Sequence, residues 1–121
     1  MCMNYVIILT NRFKKDIEFY FKKRRYRHVI DDIDEVVTQL KEGNLIGTPQ
    51  NKLSLPDGEM VYKVRTVNTD TKSGKSNGYR IIYYVVKDDK EIYLLTVYYK
   101  KDKENISTKE ILALIEEHVT K

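Results

Sequence analysis

Apolar positions recur along this chain with two different periods. "NYVIILT" (4–10) is β-branched and apolar, the pattern of a buried strand. From Asn11 onward, Phe13, Ile17, Tyr20 and Phe21 fall at helical spacing, and Asn11 stands where an N-cap belongs. Over 28–42, Ile30, Ile33, Val36, Val37 and Leu40 form a second helical stripe, and Gly43 is placed to end it as the C′ residue. Residues 43–59 hold both prolines and three of the five glycines, so they read as a loop.

The second half changes period. "MVYKVRTV" (60–67) alternates as a strand does, with Tyr62 and Val64 on one face and Lys63 and Arg65 on the other. "NTDTKSGKSNG" (68–78) is a polar loop. Two apolar strands follow, 79–87 and 91–99, joined as a hairpin by a short turn near "DDK". "STKE" (107–110) fits a capping box, with Ser107 as N-cap and Glu110 at N3; Ile111, Leu114 and Ile115 give the helix behind it an apolar stripe.

The resulting order is β-α-α-β-β-β-α. The class is α+β: a small antiparallel-rich sheet with an N-terminal helical hairpin and a C-terminal helix. The first strand is expected to join the same sheet and the helices to cover one face. The other face would then meet a partner. With no linker and no internal repeat, residues 1–121 are expected to form a single domain.

Composition narrows the class. Hydrophobic residues are 41% and charged residues 33% of the 121, which is ordinary globular material with a well-solvated surface. Cys2 is the lone cysteine, so no intramolecular disulfide can form, and a reducing compartment is implied. No apolar run has the length of a membrane span, and "VIIL" is too short for a signal-peptide core. The expectation is a soluble, cytoplasmic protein with no membrane partner.

Net charge is +4. Residues 63–101 carry nine Lys/Arg against four Asp/Glu, a net of +5, so the remainder sums to −1. Such a concentration fits a phosphate-binding surface, and it equally fits a solvated lysine-rich sheet face. "KKRRYR" (22–27) has the same two readings, a nucleic-acid patch or a helix C-terminus whose dipole favours cations.

Most enzymatic constellations are missing. His28 and His118 have no ligand partner at metal-binding spacing, so neither a metal nor a cofactor is expected. Neither G-x-x-x-x-G-K-[ST] nor G-x-G-x-x-G occurs, and "SGKSNG" (73–78) reads as a flexible loop rather than a phosphate cradle. What remains is cationic and aromatic. Lys63, Arg65, Arg80, Lys100 and Lys101 can converge on one end of one sheet face if their strands are neighbours, and Lys72 and Lys75 lie in the loop beside it. Tyr79, Tyr83, Tyr84, Tyr93, Tyr98 and Tyr99 crowd the hairpin. Cations on phosphates with rings stacked on bases is how single-stranded RNA is held. Tyr83, Tyr84 and Tyr93 read as packing partners, whereas Tyr98 and Tyr99 adjoin Lys100 and must face opposite ways.

"VYKVR" (61–65), "GKSNGYRIIYY" (74–84) and "IYLLTVYYKKDKENIS" (92–107) resemble, in that order, the RelE/HigB branch of the RelE/ParE toxin superfamily of type II toxin–antitoxin systems. The resemblance covers the C-terminal half of the chain. It implies a RelE-like fold, a cognate antitoxin, and metal-independent endoribonuclease activity on mRNA, on the ribosome in many members. In that reaction the 2′-hydroxyl attacks the adjacent phosphate and the 5′-oxygen leaves, giving a cyclic phosphate. It needs a base, an acid and fixed cations. The resemblance assigns such roles to Arg80, Lys63, Arg65 and Lys101, with RNA contacts from Lys100, Lys75, Lys72, Tyr98 and Tyr99. A lysine acting as base needs a lowered pKa, which neighbouring cations favour. Where some members carry a reacting tyrosine before the last helix, this chain has Ile106–Ser107, which leaves the general base unassigned. The same fold also serves ParE-like proteins that poison DNA gyrase by binding, and a non-catalytic RNA-binding module would look similar.

Overall fold

The computed structural model describes residues 4–119. Its elements are β1 (Val6–Leu9), α1 (Asn11–Glu18) continued by a π-helical turn (Phe19–Lys23), α2 (Val29–Lys41), β2 (Thr48–Pro49), β3 (Glu59–Thr66), a 3₁₀ turn (Lys75–Asn77), β4 (Tyr79–Val86), β5 (Glu91–Tyr99) and α3 (Thr108–His118). The class is α+β, as the pattern predicts, with one five-stranded sheet in the order β1-β5-β4-β3-β2. Cys2 lies outside the described residues.

The first strand is not buried. β1 is an outer strand, parallel to β5, with Val6 60% and Leu9 38% exposed. An edge has one neighbour, so the apolar run is only half covered. The N-cap of α1 also differs from expectation: it is Thr10, not Asn11. Thr10 is extended, and its hydroxyl accepts from the Phe13 N–H (3.2 Å) while donating to the Leu94 carbonyl (2.8 Å). The anchor on β5 fixes where the helix starts.

Phe13 and Tyr20 are buried as the stripe predicts, but Phe21 is 46% exposed. The cause is the π-helical turn, closed by the Arg24 N–H on the Phe19 carbonyl (3.2 Å). One extra residue per turn breaks the 3.6-residue register and rotates Phe21 off the core. In α2, Val29, Ile33, Val36 and Leu40 are buried, whereas Ile30 is 55% exposed. Gly43 ends α2 as expected: its φ is +91°, its N–H reaches the Leu40 carbonyl, and the Asn44 N–H reaches that of Gln39 (both 3.0 Å). That pair of bonds is a Schellman closure.

β3, β4 and β5 form the antiparallel centre, and β5 carries a bulge where Ile82 pairs Thr96 and Tyr83 pairs Leu94. β2 is a two-residue edge strand inside the segment that reads as a loop; Pro49 is tolerated there because an edge strand has one side free of ladder bonds. The helical hairpin packs Phe13, Val29, Ile33 and Leu40 on the face bearing Val64, Ile81, Tyr83 and Val97.

The second sheet face is not free either. Ile106, Ile111, Leu114 and Ile115 form a second core there with Val61, Ile82, Tyr84, Leu95 and Tyr98. The expectation of helices on one face is thus corrected: α3 crosses to the other face, because the residues of β4 and β5 are apolar on both sides. The Ser107–Glu110 capping box is present in full and starts α3.

Candidate functional site

The loop before β4 is tied down from three directions. Asp32, 5% exposed on α2, accepts from the Thr69 N–H (2.8 Å) and the Thr69 hydroxyl (2.5 Å). Asp70 accepts from the His28 N–H (2.9 Å) and pairs with its ring Nδ1 (3.0 Å). Arg80, 4% exposed, donates to the carbonyls of Ser76 (2.9 Å), Lys75 (3.3 Å) and Gly78 (3.5 Å). Burial lowers the Arg80 pKa, and the Arg65 charge lowers it further. A guanidinium keeps its proton regardless.

Arg80, expected at a phosphate, here turns two of its nitrogens to loop carbonyls. Arg65 lies directly opposite it in the β3–β4 register and is exposed.

Beside Arg65 runs a groove of about 990 Å³ between the β2 loop, β3 and the start of α3. Its polar lining is Gln50, Asn51, Lys52, Lys63, Arg65, Lys75, Asn105, Ser107 and the backbone-flanking threonines Thr48 and Thr108. No acidic residue lines it. Among the described residues, none of its four cations forms an ion pair, whereas Arg12, Lys22, Arg24 and Lys103 all do. Lys63 reaches Asn105 Oδ1 at 3.4 Å. Four cations on one concave surface make an anion-binding potential, bounded on the α2 side by Asp34 and Glu35, which share a neighbouring pocket with Arg65 and Lys75.

Of the residues expected to form a site, the groove brings together Lys63, Arg65 and Lys75. Lys72 sits on the loop with φ of +58° and is exposed, outside the groove lining. Lys101 is also outside it; its charge acts on Tyr99, on the helical-hairpin side, next to the Asp102–Arg24 pair (2.7 Å). The groove lining thus does not bring Lys101 together with Lys63 and Arg65. Lys100 is half-buried, and its N–H donates to the Gly78 carbonyl (3.0 Å).

Tyr98 and Tyr99 do face opposite ways, but both are in cores, 5% and 3% exposed. Neither offers a ring face for stacking, which corrects their assignment as base platforms. Burial raises the Tyr98 pKa; hydrogen bonds from Ser73 and then Thr71 lower that of Tyr99. The sequence reading missed Lys52, which sits in a segment without pattern and reaches the groove only because β2 pairs with β3. Among the described residues, no group of three or more His, Cys, Asp or Glu could hold a metal ion, and no helix is long and apolar enough to cross a membrane.

Comparison with known proteins bears on this arrangement. Residues 7–104 match the family model described as ParE toxin of type II toxin-antitoxin system, parDE. The chain is also similar to the free-state structure of a double arginine-to-alanine mutant of the E. coli toxin RelE. Identity is 17%, the TM-score is 0.52, and the match covers 84% of this chain and 88% of that one. At that identity the likeness is one of fold. A search of curated proteins finds no match.

Proposed function

We propose that this chain, which belongs to the ParE toxin family of type II toxin–antitoxin systems in the RelE/ParE superfamily, is a toxin that cuts mRNA without a metal and so halts translation. The family implies a cognate antitoxin as partner. The observation that carries the nuclease reading is the acid-free groove with four unpaired cations, Lys52, Lys63, Arg65 and Lys75. A concave surface lined by cations and no acid suits a polyanion such as RNA.

In this reading the scissile phosphate lies against Arg65 and Lys63. Arg65 is exposed and can present two parallel N–H donors to phosphate oxygens. Both cations stabilise charge that grows on the phosphate as the 2′-oxygen attacks and the 5′-oxygen departs. The groove lining holds no carboxylate or imidazole to take the 2′-hydroxyl proton; a lysine would do so only as the neutral amine, and so would not be one of the cations that stabilise the phosphate. Arg80 acts behind them as a positioning residue, holding the Lys75 loop. Lys72, Lys100 and Lys101 would meet RNA, or the ribosome, outside the groove. On this reading the toxin domain spans residues 1–121 and works in the cytoplasm.

The test is brief induction of the chain, with primer-extension mapping of transcripts beside measurements of protein and DNA synthesis. New transcript ends, with protein synthesis stopping first, support the nuclease. The family description favours one rival, a gyrase-poisoning toxin. Intact transcripts with DNA synthesis stopping first would transfer the assignment to it.

A further inference from the structure

We propose that Lys52 is a second phosphate contact of the groove, so that the site engages at least two phosphates of one RNA strand. The inference rests on the nuclease reading and extends it to the footprint of the substrate. Lys52 belongs to no strand or helix, yet the chain on both sides of it is fixed. On one side, Pro49 pairs with Tyr62, and the Gln50 N–H donates to the Val61 carbonyl at 2.8 Å. On the other side, Leu53 is 9% exposed and packs in the second core.

The approach to β3 is equally constrained. Gly47 has φ of +105°, and a Cβ there would lie 2.6 Å from the Lys63 carbonyl oxygen. Only glycine allows the loop so near the strand that carries Lys63 and Arg65. The loop is therefore a wall and not a loose excursion.

Lys52 is exposed on that wall and forms no ion pair among the described residues; its polar neighbours in the lining are cations, amides and hydroxyls. Like charges gathered in one acid-free lining repel in the free protein, and a polyanion relieves that repulsion; Lys52 lies on the wall away from Asp34 and Glu35, which, of the four cations, border only Arg65 and Lys75 in the next pocket. A lysine on a loop is a point charge suited to a phosphate, and it carries no base preference. Its place on the β2 loop, off the strand that bears Lys63 and Arg65, puts it on a phosphate flanking the scissile one.

The test uses a 2′-O-methyl oligoribonucleotide, which binds but cannot be cut because the attacking hydroxyl is blocked. Affinity is measured against salt for the wild type, Lys52→Ala, Lys52→Arg and Lys41→Ala, the last being an exposed lysine outside the groove. The Lys52→Ala slope of log affinity on log salt should be shallower by about 0.7, the value for one single-strand phosphate contact. Lys52→Arg and Lys41→Ala should keep the wild-type slope, and melting temperatures should agree. On a cleavable transcript, Lys52→Ala should raise KM and leave kcat nearly unchanged. A wild-type slope in Lys52→Ala overturns this assignment and leaves the nuclease reading standing. A wild type that does not bind the oligonucleotide overturns both.

Discussion

Arg65 and Arg80 face each other directly across the β3–β4 ladder. Like charges opposed in this way destabilise a sheet. The pair is tolerated because the two guanidiniums have separate surroundings. Arg80 is buried, with its charge taken up by three loop carbonyls; Arg65 is exposed at the groove.

The two arginines should therefore separate stability from activity. Arg80→Ala leaves those carbonyls without their donor and should cost about 2–3 kcal/mol. Arg65→Ala, at an exposed site, should stay within about 0.5 kcal/mol of wild type. It should nonetheless lower transcript cleavage by about 100- to 1000-fold, the usual loss for one transition-state donor. Thermal melts beside cleavage on ribosomes check both. Full cleavage by folded Arg65→Ala would sink its assignment to the phosphate.

Gly78 is the sharpest steric point of the loop. A Cβ there would lie 2.1 Å from the Thr66 carbonyl oxygen and 3.0 Å from both the Asn68 nitrogen and the Gly74 oxygen. All three are backbone atoms and cannot swing aside. Gly78→Ala should cost about 3 kcal/mol or more, at the upper end for overpacking. A chemical-denaturation midpoint equal to wild type would contradict the close approach.

The His28–Asp70 clamp should make the loop sensitive to pH. Hydrogen bonding to Asp70, then its charge, raises the His28 pKa above the ordinary 6.5. Burial pulls the Asp70 pKa up, but the His28 side-chain and backbone hydrogen bonds outweigh it and hold it below the ordinary 3.8. The histidine's contribution is whole below its unfolded value and lost as pH rises through the raised one. The carboxylate's contribution is present above its unfolded value and lost as pH falls through the lowered one. The loop should thus be held best in mild acid and loosen as pH rises from the ordinary 6.5 through the raised His28 pKa, above which the histidine's contribution is gone. The His28 N–H bond survives there and keeps the change partial. Amide exchange at 69–73, corrected for intrinsic rates, measures this, and Asp70→Asn should flatten the response. A wild-type profile as flat as the mutant's would rule the clamp out.

Ser107 lines the groove, yet its hydroxyl accepts from the Glu110 N–H (3.1 Å) as a helix cap. Ser107→Ala should lower stability by about 1 kcal/mol. Cleavage measured at a temperature where the variant stays folded should be close to wild type. A large loss of rate without a loss of stability would instead give Ser107 a chemical role.

Much of this molecule was legible locally. The Ser107–Glu110 box, the Gly43 closure and the stripe Ile33, Val36, Leu40 each depend on residues within a few positions of one another. The β4–β5 hairpin needs only two apolar runs and a short turn. The order of elements followed, and the α+β class with it. Of the site, Lys63 and Arg65 were placed on one face by strand alternation alone, since residues two apart in a strand must share a side.

The rest was decided by partners far away in sequence. Lys52 joins the groove because β2 lies beside β3, and nothing within the 43–59 segment says so. Tyr98 and Tyr99 look like candidates for stacking until both sheet faces acquire helices, and α3 covers Tyr98 from the end of the chain. Phe21 leaves the core through one π-helical turn that periodicity cannot show. Arg80 meets the loop carbonyls of Lys75, Ser76 and Gly78 because of the path of residues 74–78, which strand alternation does not show. A local pattern fixes which side of an element is apolar, because that depends on backbone geometry of a few residues. It does not fix which element covers that side, because that choice is made by the competition of all buried surfaces at once.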